Sequence, residues 1–135
     1  LKVVIDTNVL VSGLLSPYGK PAAILRLMIS GEIQLCYDAR IISEYREVLL
    51  RPKFRFDRYK IDIILDYIES FGEIITTRPL KILLPDPDDN PFLEVAMSGD
   101  VEYLITGNVI HYPQKICKNI HIVTPAEFIK AYTQI

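Results

Sequence analysis

Apolar residues in this chain fall into two alternating patterns: short continuous runs, and longer stretches with helical spacing. Residues 2–5 (Lys-Val-Val-Ile) predict a buried strand ending at Asp6. Residues 21–30 predict a helix, with Pro21 in its first turn, Ile24, Leu25, Leu27 and Met28 on its apolar side, and Gly31 as its stop. Residues 33–37 (Ile-Gln-Leu-Cys-Tyr) predict a second strand. Asp38 then caps a helix over about 39–50, with Ile41, Tyr45, Val48 and Leu49 as its core stripe and Pro52 beyond its end. A further helix over about 58–71 carries Ile61, Ile64, Leu65, Ile68 and Phe71 at helical spacing, and Gly72 closes it.

Residues 73–76 predict another strand, and 82–84 are again apolar. The prolines of Pro85-Asp86-Pro87-Asp88-Asp89-Asn90-Pro91 stop any strand there, but Pro91 suits the first position of a helix running to about residue 98. Residues 101–105 and 120–123 predict two more strands. Thr124-Pro125-Ala126-Glu127 matches a capping box, opening a last helix to about residue 133. Strands alternating with helices predict an α/β fold with a parallel sheet covered by helices. With no internal repeat or linker, 135 residues predict a single domain over 1–135.

Composition narrows the function classes. The chain is 50% hydrophobic and 24% charged, an ordinary globular balance. A formal net charge of −2 argues against a surface that is basic all round, while leaving room for a local basic patch. Cys36 and Cys117 lie far apart, outside any C-x-x-C pair, and are expected to be reduced core thiols and not zinc ligands or a disulfide. No apolar run reaches the roughly 18 residues that span a membrane, and no signal peptide is visible, so the cytoplasm is the expected location, subject to whatever precedes Leu1.

The chemistry concentrates where ligands bind in open parallel sheets, beyond the carboxyl ends of the strands. Asp6-Thr7-Asn8 follows the first strand, Thr106-Gly107-Asn108 follows the strand over 101–105, and Asp86, Asp88 and Asp89 precede a helix. Glu44 lies roughly 60° around its helix from Ile41, beside the core face and not opposite it. Arg46 and Glu47 point further away, toward solvent. Carboxylates from separate segments can hold a hard divalent cation such as Mg²⁺. Such a cation lowers the pKa of a bound water and offsets the charge of a phosphate under attack. Plainer roles stay open for each residue: Asp6 as a helix cap, Glu44 as a boundary glutamate, Asp88 and Asp89 as favourable charges at a helix start, Asn108 as a turn residue.

The ordered segments Val4-Ile5-Asp6-Thr7-Asn8-Val9, Ser43-Glu44-Tyr45-Arg46-Glu47-Val48-Leu49, Asp86-Pro87-Asp88-Asp89-Asn90-Pro91-Phe92-Leu93-Glu94-Val95-Ala96 and Tyr103-Leu104-Ile105-Thr106-Gly107-Asn108 resemble the motifs of PIN-domain ribonucleases. Together with Ile122-Val123-Thr124-Pro125-Ala126-Glu127-Phe128, they are most similar to the toxin branch of toxin–antitoxin systems, akin to VapC-type toxins. The resemblance covers essentially the whole chain. It implies a three-layer α/β/α sandwich with a central parallel sheet, and an endoribonuclease site using Mg²⁺ or Mn²⁺. Matched residue by residue, it makes Asp6, Glu44 and Asp89 the catalytic acids, with Asp88 the close rival of Asp89. The implied metal ligands are Asp6, Glu44, Asp88, Asp89 and Asn108. Thr7, Asn8 and Thr106 support them, and Ser12 is a fainter candidate. Asn108 departs from the Thr-Gly-Asp of many members. Its amide oxygen can still face a metal or its water, but it brings no charge. Thr-Gly-Asn followed by His111-Tyr112-Pro113 resembles a recurring variant of the branch. The resemblance further implies an antitoxin partner and a homodimer.

The most basic window is 51–60. Arg51, Lys53, Arg55, Arg58 and Lys60 can meet RNA phosphates there, and Phe54, Phe56 or Tyr59 can stack on unpaired bases. His111 can touch a phosphate or brace its loop. The same window can instead be a solvated helix connection with its aromatics packed inward, or a surface for a partner protein. Two other function classes compete with the nuclease. A phosphoacceptor domain wants an acidic pair near the first strand and a late lysine, and this chain places neither. A degenerate RNA- or protein-binding module draws its support from Asn108.

Overall fold

The computed structural model describes residues 1–81, 84–117 and 119–134, so Ile82 and Leu83 of the apolar stretch 82–84 lie outside the described residues. Five parallel strands form one sheet: β1 (Lys2–Ile5), β2 (Gln34–Tyr37), β3 (Glu73–Ile74), β4 (Tyr103–Ile105) and β5 (His121–Val123), in the order β3-β2-β1-β4-β5. Six helices accompany them: α1 (Thr7–Leu15), α2 (Lys20–Ile29), α3 (Ala39–Leu49), α4 (Arg58–Phe71), α5 (Asn90–Ser98) and α6 (Pro125–Thr133). The result is the three-layer α/β/α sandwich that the alternating pattern and the resemblance lead one to expect. Helix α2 packs on both α1 and α6, and α3 packs on α4 and α5.

Strand β1 is central. Val3, Val4 and Ile5 are fully buried, as a strand covered on both faces requires. Its neighbours are level with it: Ile5 pairs with Ile105, and Ile105 with Val123. The backbone pairing continues one step past the strand ends, with Asp6 N–H donating to the Ile105 carbonyl at 2.9 Å and Thr106 N–H to the Val123 carbonyl at 2.9 Å. That register sets the Asp6 and Thr106 side chains next to each other. The chain moves outward through β2 and β3, then returns to the other side of β1 for β4 and β5. The break between β1 and β4 is therefore the switch point at which α/β sheets open a crevice.

The helix starts follow local chemistry. Asp38 accepts from Ile41 N–H at 3.0 Å, Asp57 caps α4, and the Thr124–Glu127 capping box is complete. Gly31 ends the α2 turn with φ +82°, where a side chain would be strained. Four expectations shift. Strands 73–76 and 101–105 shorten to Glu73–Ile74 and Tyr103–Ile105, where the regular pairing with the neighbouring strands runs, and Ile75 and Glu102 add backbone hydrogen bonds at their ends. Likewise β2 begins at Gln34 and β5 at His121. Helix α1 is the larger surprise, since residues 7–15 show no clear helical stripe. Val9, Leu10 and Val11 are all buried because α1 packs against both α2 and α3. Gly13 permits the close approach to α2: a Cβ there would meet Leu25 Cδ1 at 2.6 Å and the Pro21 backbone at 3.1 Å.

Candidate active site

The crevice is built outward from Asp6. This residue sits at the N-cap position of α1 but makes no side-chain capping bond. Its carboxylate turns instead toward β4, where the fully buried Thr106 hydroxyl donates to Oδ2 at 2.8 Å. The same hydroxyl oxygen accepts from Asn108 N–H at 3.0 Å, so one threonine ties the 106–108 turn to the first acid. Asp6 is only 6% exposed, and burial pushes its carboxyl above the usual aspartate range, while the Thr106 hydroxyl opposes the shift.

Glu44 reaches the crevice because α3 is anchored beside it. The wholly buried Tyr45 donates its hydroxyl to the Ile5 carbonyl, at the last residue of β1. Glu44 is half-buried, and the Thr7 hydroxyl donates to its Oε2. Burial raises the Glu44 carboxyl above its ordinary value against the pull of Thr7, and the negative charges of Asp6 and Asp88 add to the rise. Thr7 thus holds the second acid as Thr106 holds the first.

The third group comes from the turn before α5. Residues Pro87–Asp89 form a single 3-10 turn, and Asp86 Oδ1 accepts from Asp88 N–H at 3.0 Å. Asn90 accepts from Leu84 N–H at 3.2 Å and ties the turn to the chain before it. The turn faces Asp89 inward and leaves Asp88 exposed, which separates these two rivals. Asp89 is pushed up to about 6, first by burial and then by the charges of Asp6 and Asp86, with His111 opposing. His111 Nδ1 lies 3.2 Å from Asp89 Oδ2. Asp86, Asp89 and His111 each present a ligand atom, all within 4.8 Å of one another.

The charge balance is one-sided. Among the described residues no lysine or arginine pairs with Asp6, Glu44, Asp86, Asp88 or Asp89, and His111 is the one ion-pair partner, to Asp89. Elsewhere, buried acids are matched: Arg40 bridges Asp38 at 2.7 Å and Glu94 at 2.8 Å. Nearby, the Tyr112 hydroxyl is buried without a hydrogen-bond partner among the described residues. Burial holds its acidity far below that of a free phenol, helped by the negative charges of Asp6, Asp89 and Glu44. Crowded, partly desolvated carboxylates without a balancing cation, beside an unsatisfied hydroxyl, fit a divalent ion held by oxygen ligands.

The remaining candidates are less involved. Asn108 is half-buried and engages Thr106 through its backbone N–H. Asn8 and Ser12 are exposed on α1, with no hydrogen bond from either side chain among the described residues. In the basic window, Arg51 pairs with Glu47 at 3.1 Å and Lys53 lies over the Phe54 ring at 5.0 Å. Phe54 and Phe56 stack on each other with centroids 5.7 Å apart and pack against the core, so they are not open platforms; Tyr59, 72% exposed, is. Arg55, Arg58 and Lys60 are exposed. The His111 ring is engaged with an acid instead of standing free for a phosphate. The sequence set Asp86 within the acidic run and Tyr112 within His111-Tyr112-Pro113 without assigning either as a ligand. Only the folded turn brings Asp86 to His111, and only burial brings the Tyr112 hydroxyl into play.

A PIN domain family model matches residues 2–110. The chain is 34% identical over 143 residues to the uncharacterized protein MJ1680 of Methanocaldococcus jannaschii, covering 98% of this chain and 92% of that one. Its fold is similar to VapBC2 from Rickettsia felis, solved bound to a DNA fragment from its promoter, with a TM-score of 0.59 and 15% identity over 92% of this chain and 98% of that chain. It is similar also to FitAcB from Neisseria gonorrhoeae, with a TM-score of 0.55 and 16% identity over the same shares of the two chains. The matched span runs from β1 through Asn108, taking in Asp6, Glu44, Asp89 and Thr106 in order, and on that match the chain belongs to the PIN domain family.

Proposed function

We propose that this protein is a metal-dependent endoribonuclease that cleaves single-stranded RNA, and that it is the toxin of a toxin–antitoxin pair. One observation carries the catalytic part: the negative charge of Asp6 acts on both Glu44 and Asp89, which come from two other distant segments, and among the described residues no lysine or arginine pairs with any of the three. Asp6, Glu44 and Asp89 would hold Mg²⁺ or Mn²⁺, with Asp88 and Asn108 at the margin. A bound ion of this kind supplies Lewis-acid charge against the phosphate and lowers the pKa of a water.

The chain's own residues do the positioning. Thr106 fixes the Asp6 carboxylate and Thr7 fixes that of Glu44, so neither acid has to reorganise when charge develops nearby. Arg55, Arg58 and Lys60 offer exposed charges to the RNA backbone, and Tyr59 an exposed ring to a base. An antitoxin partner is supported by the likeness to VapBC2, FitAcB and FitAB bound to an IR36 DNA fragment. A homodimer in the cytoplasm completes the proposal. No described helix is long and apolar enough to cross a membrane.

Asn108 favours a second reading, a degenerate module that binds RNA or protein without turnover. The discriminating experiment incubates purified protein with several single-stranded RNAs and Mn²⁺ or Mg²⁺. Cleavage lost in EDTA and in Asp6→Asn supports the nuclease. Cleavage that survives both excludes the metal site, and binding without cleavage supports the module.

A further inference from the structure

The acids inherited from the family pattern do not use every ligand in this crevice. Asp86 and His111 gather around Asp89, which the three-acid set also contains. We propose that Asp86, Asp89 and His111 form a nitrogen-containing cation position that takes a first-row transition divalent ion, for which Mn²⁺ is the probe, in preference to Mg²⁺. The proposal rests on the nuclease reading only in taking the crevice as a place for cations.

Three observations carry it. First, the geometry suits an ion. Two ligands at right angles about an ion with bonds of ~2.1 Å stand about 3.0 Å apart. His111 Nδ1 and Asp89 Oδ2 stand 3.2 Å apart, and the ligand atom of Asp86 joins them within 4.8 Å. Asp86 is prearranged, since its Oδ1 is held by Asp88 N–H and its other oxygen can turn to an ion. Second, Tyr112 is 2% exposed, and its hydroxyl makes no well-formed hydrogen bond among the described residues but lies close enough to Asp89 for that carboxylate to act on it, as the charge of Asp6 does. A buried hydroxyl beside Asp89 has a use if it donates to an oxygen held at that position. Third, the imidazole decides the ion. Carboxylates and water suit Mg²⁺ and Mn²⁺ alike, whereas a nitrogen ligand favours the transition ion. Asn108 takes a charge away from the crevice, and His111 adds a softer ligand to it.

The test measures binding and not turnover. Mn²⁺ is titrated into the metal-free protein by electron paramagnetic resonance, with Mg²⁺ as competitor, in wild type, His111→Gln, His111→Asp, Asp86→Asn and Asp6→Asn. Melting curves without metal check that each variant folds. His111→Gln and Asp86→Asn are expected to weaken Mn²⁺ binding about tenfold or more. His111→Asp, which replaces the nitrogen donor by a carboxylate oxygen, should shift the preference back toward Mg²⁺. Pulsed resonance on Mn²⁺-loaded wild type should show coupling to one imidazole nitrogen that disappears in His111→Gln. Wild-type protein without that coupling overturns the inference, and so do His111 variants with unchanged Mn²⁺ affinity and Mg²⁺ competition. Failure of the nuclease reading shows up separately, as absent RNA cleavage by protein that still binds Mn²⁺ through His111.

Discussion

Replacing Asp89 by Asn should stabilise the metal-free protein at neutral pH. Asp89 is a carboxylate raised from an ordinary value of 3.8 to about 6, chiefly by burial and by the neighbouring charges of Asp6 and Asp86. A carboxyl whose folded pKa lies above its unfolded one favours the folded state most below the unfolded value. That advantage is lost as pH rises through the folded value, because the folded chain holds the proton longer. Metal-free wild type should therefore lose stability between pH 4 and pH 6 or slightly above. A shift of this size corresponds to about 3 kcal/mol unscreened, and about 1–2 kcal/mol once solvent screening is allowed for. Asparagine keeps an oxygen to face His111 and never carries the charge. At pH 7.5 in EDTA, Asp89→Asn should melt roughly 2–10 °C above wild type, taking about 2–5 °C per kcal/mol for a chain of this length. At pH 4 the two should melt together. Saturating Mn²⁺ should reverse the order, since an ion at a hundred times its dissociation constant adds about 2.7 kcal/mol to the protein that binds it. Thermal melts over pH 4–8, with and without Mn²⁺, make the measurement. If Asp89→Asn melts below wild type at pH 7.5 in EDTA, with a gap that does not close toward pH 4, the charge-crowding argument is wrong.

The remaining predictions probe the supports of the site. Thr106→Val removes the hydroxyl between Asp6 and Asn108 with little change in shape. It should cost about 1–3 kcal/mol in urea unfolding through the polar groups left unpaired, and weaken Mn²⁺ binding about 10–100-fold by calorimetry. Asn108→Asp restores a charge at the turn, so it should tighten Mn²⁺ binding while lowering the melting temperature in EDTA. Replacing Arg55, Arg58 and Lys60 together by Ser should weaken single-stranded RNA binding and flatten its salt dependence, with Mn²⁺ affinity unchanged in the same calorimeter.

Much of the architecture was legible because its signals are local. Helix α4 shows its stripe and its Gly72 stop in adjacent residues, and α6 announces itself through the Thr124–Glu127 box. The strand ends at Asp6 and Thr106 were legible as apolar runs that stop at polar residues. Helix α1 was less so, because Val9, Leu10 and Val11 are buried in succession and only Asn8 and Ser12 are left as a narrow polar edge, too little to set a helical period. Site membership depended on contacts that no window contains. Asp88 and Asp89 differ by one position, and only the 3-10 turn decides which points inward. Thr106 meets Asp6 across 100 residues, and His111 meets Asp89 across 22. For Phe54 and Phe56 the sequence allowed either stacking on bases or packing inward, and only the fold decides it, by setting their rings against each other and the core.

The central claim is that Asp6, Glu44 and Asp89 together hold a divalent cation. Anomalous diffraction from crystals grown with saturating Mn²⁺ tests it most directly. The account predicts a strong peak within coordination distance of the Asp6 and Asp89 carboxylates, absent from Asp6→Asn crystals. A Mn²⁺ peak confined to exposed surface acids, with this crevice filled by water alone, would contradict it.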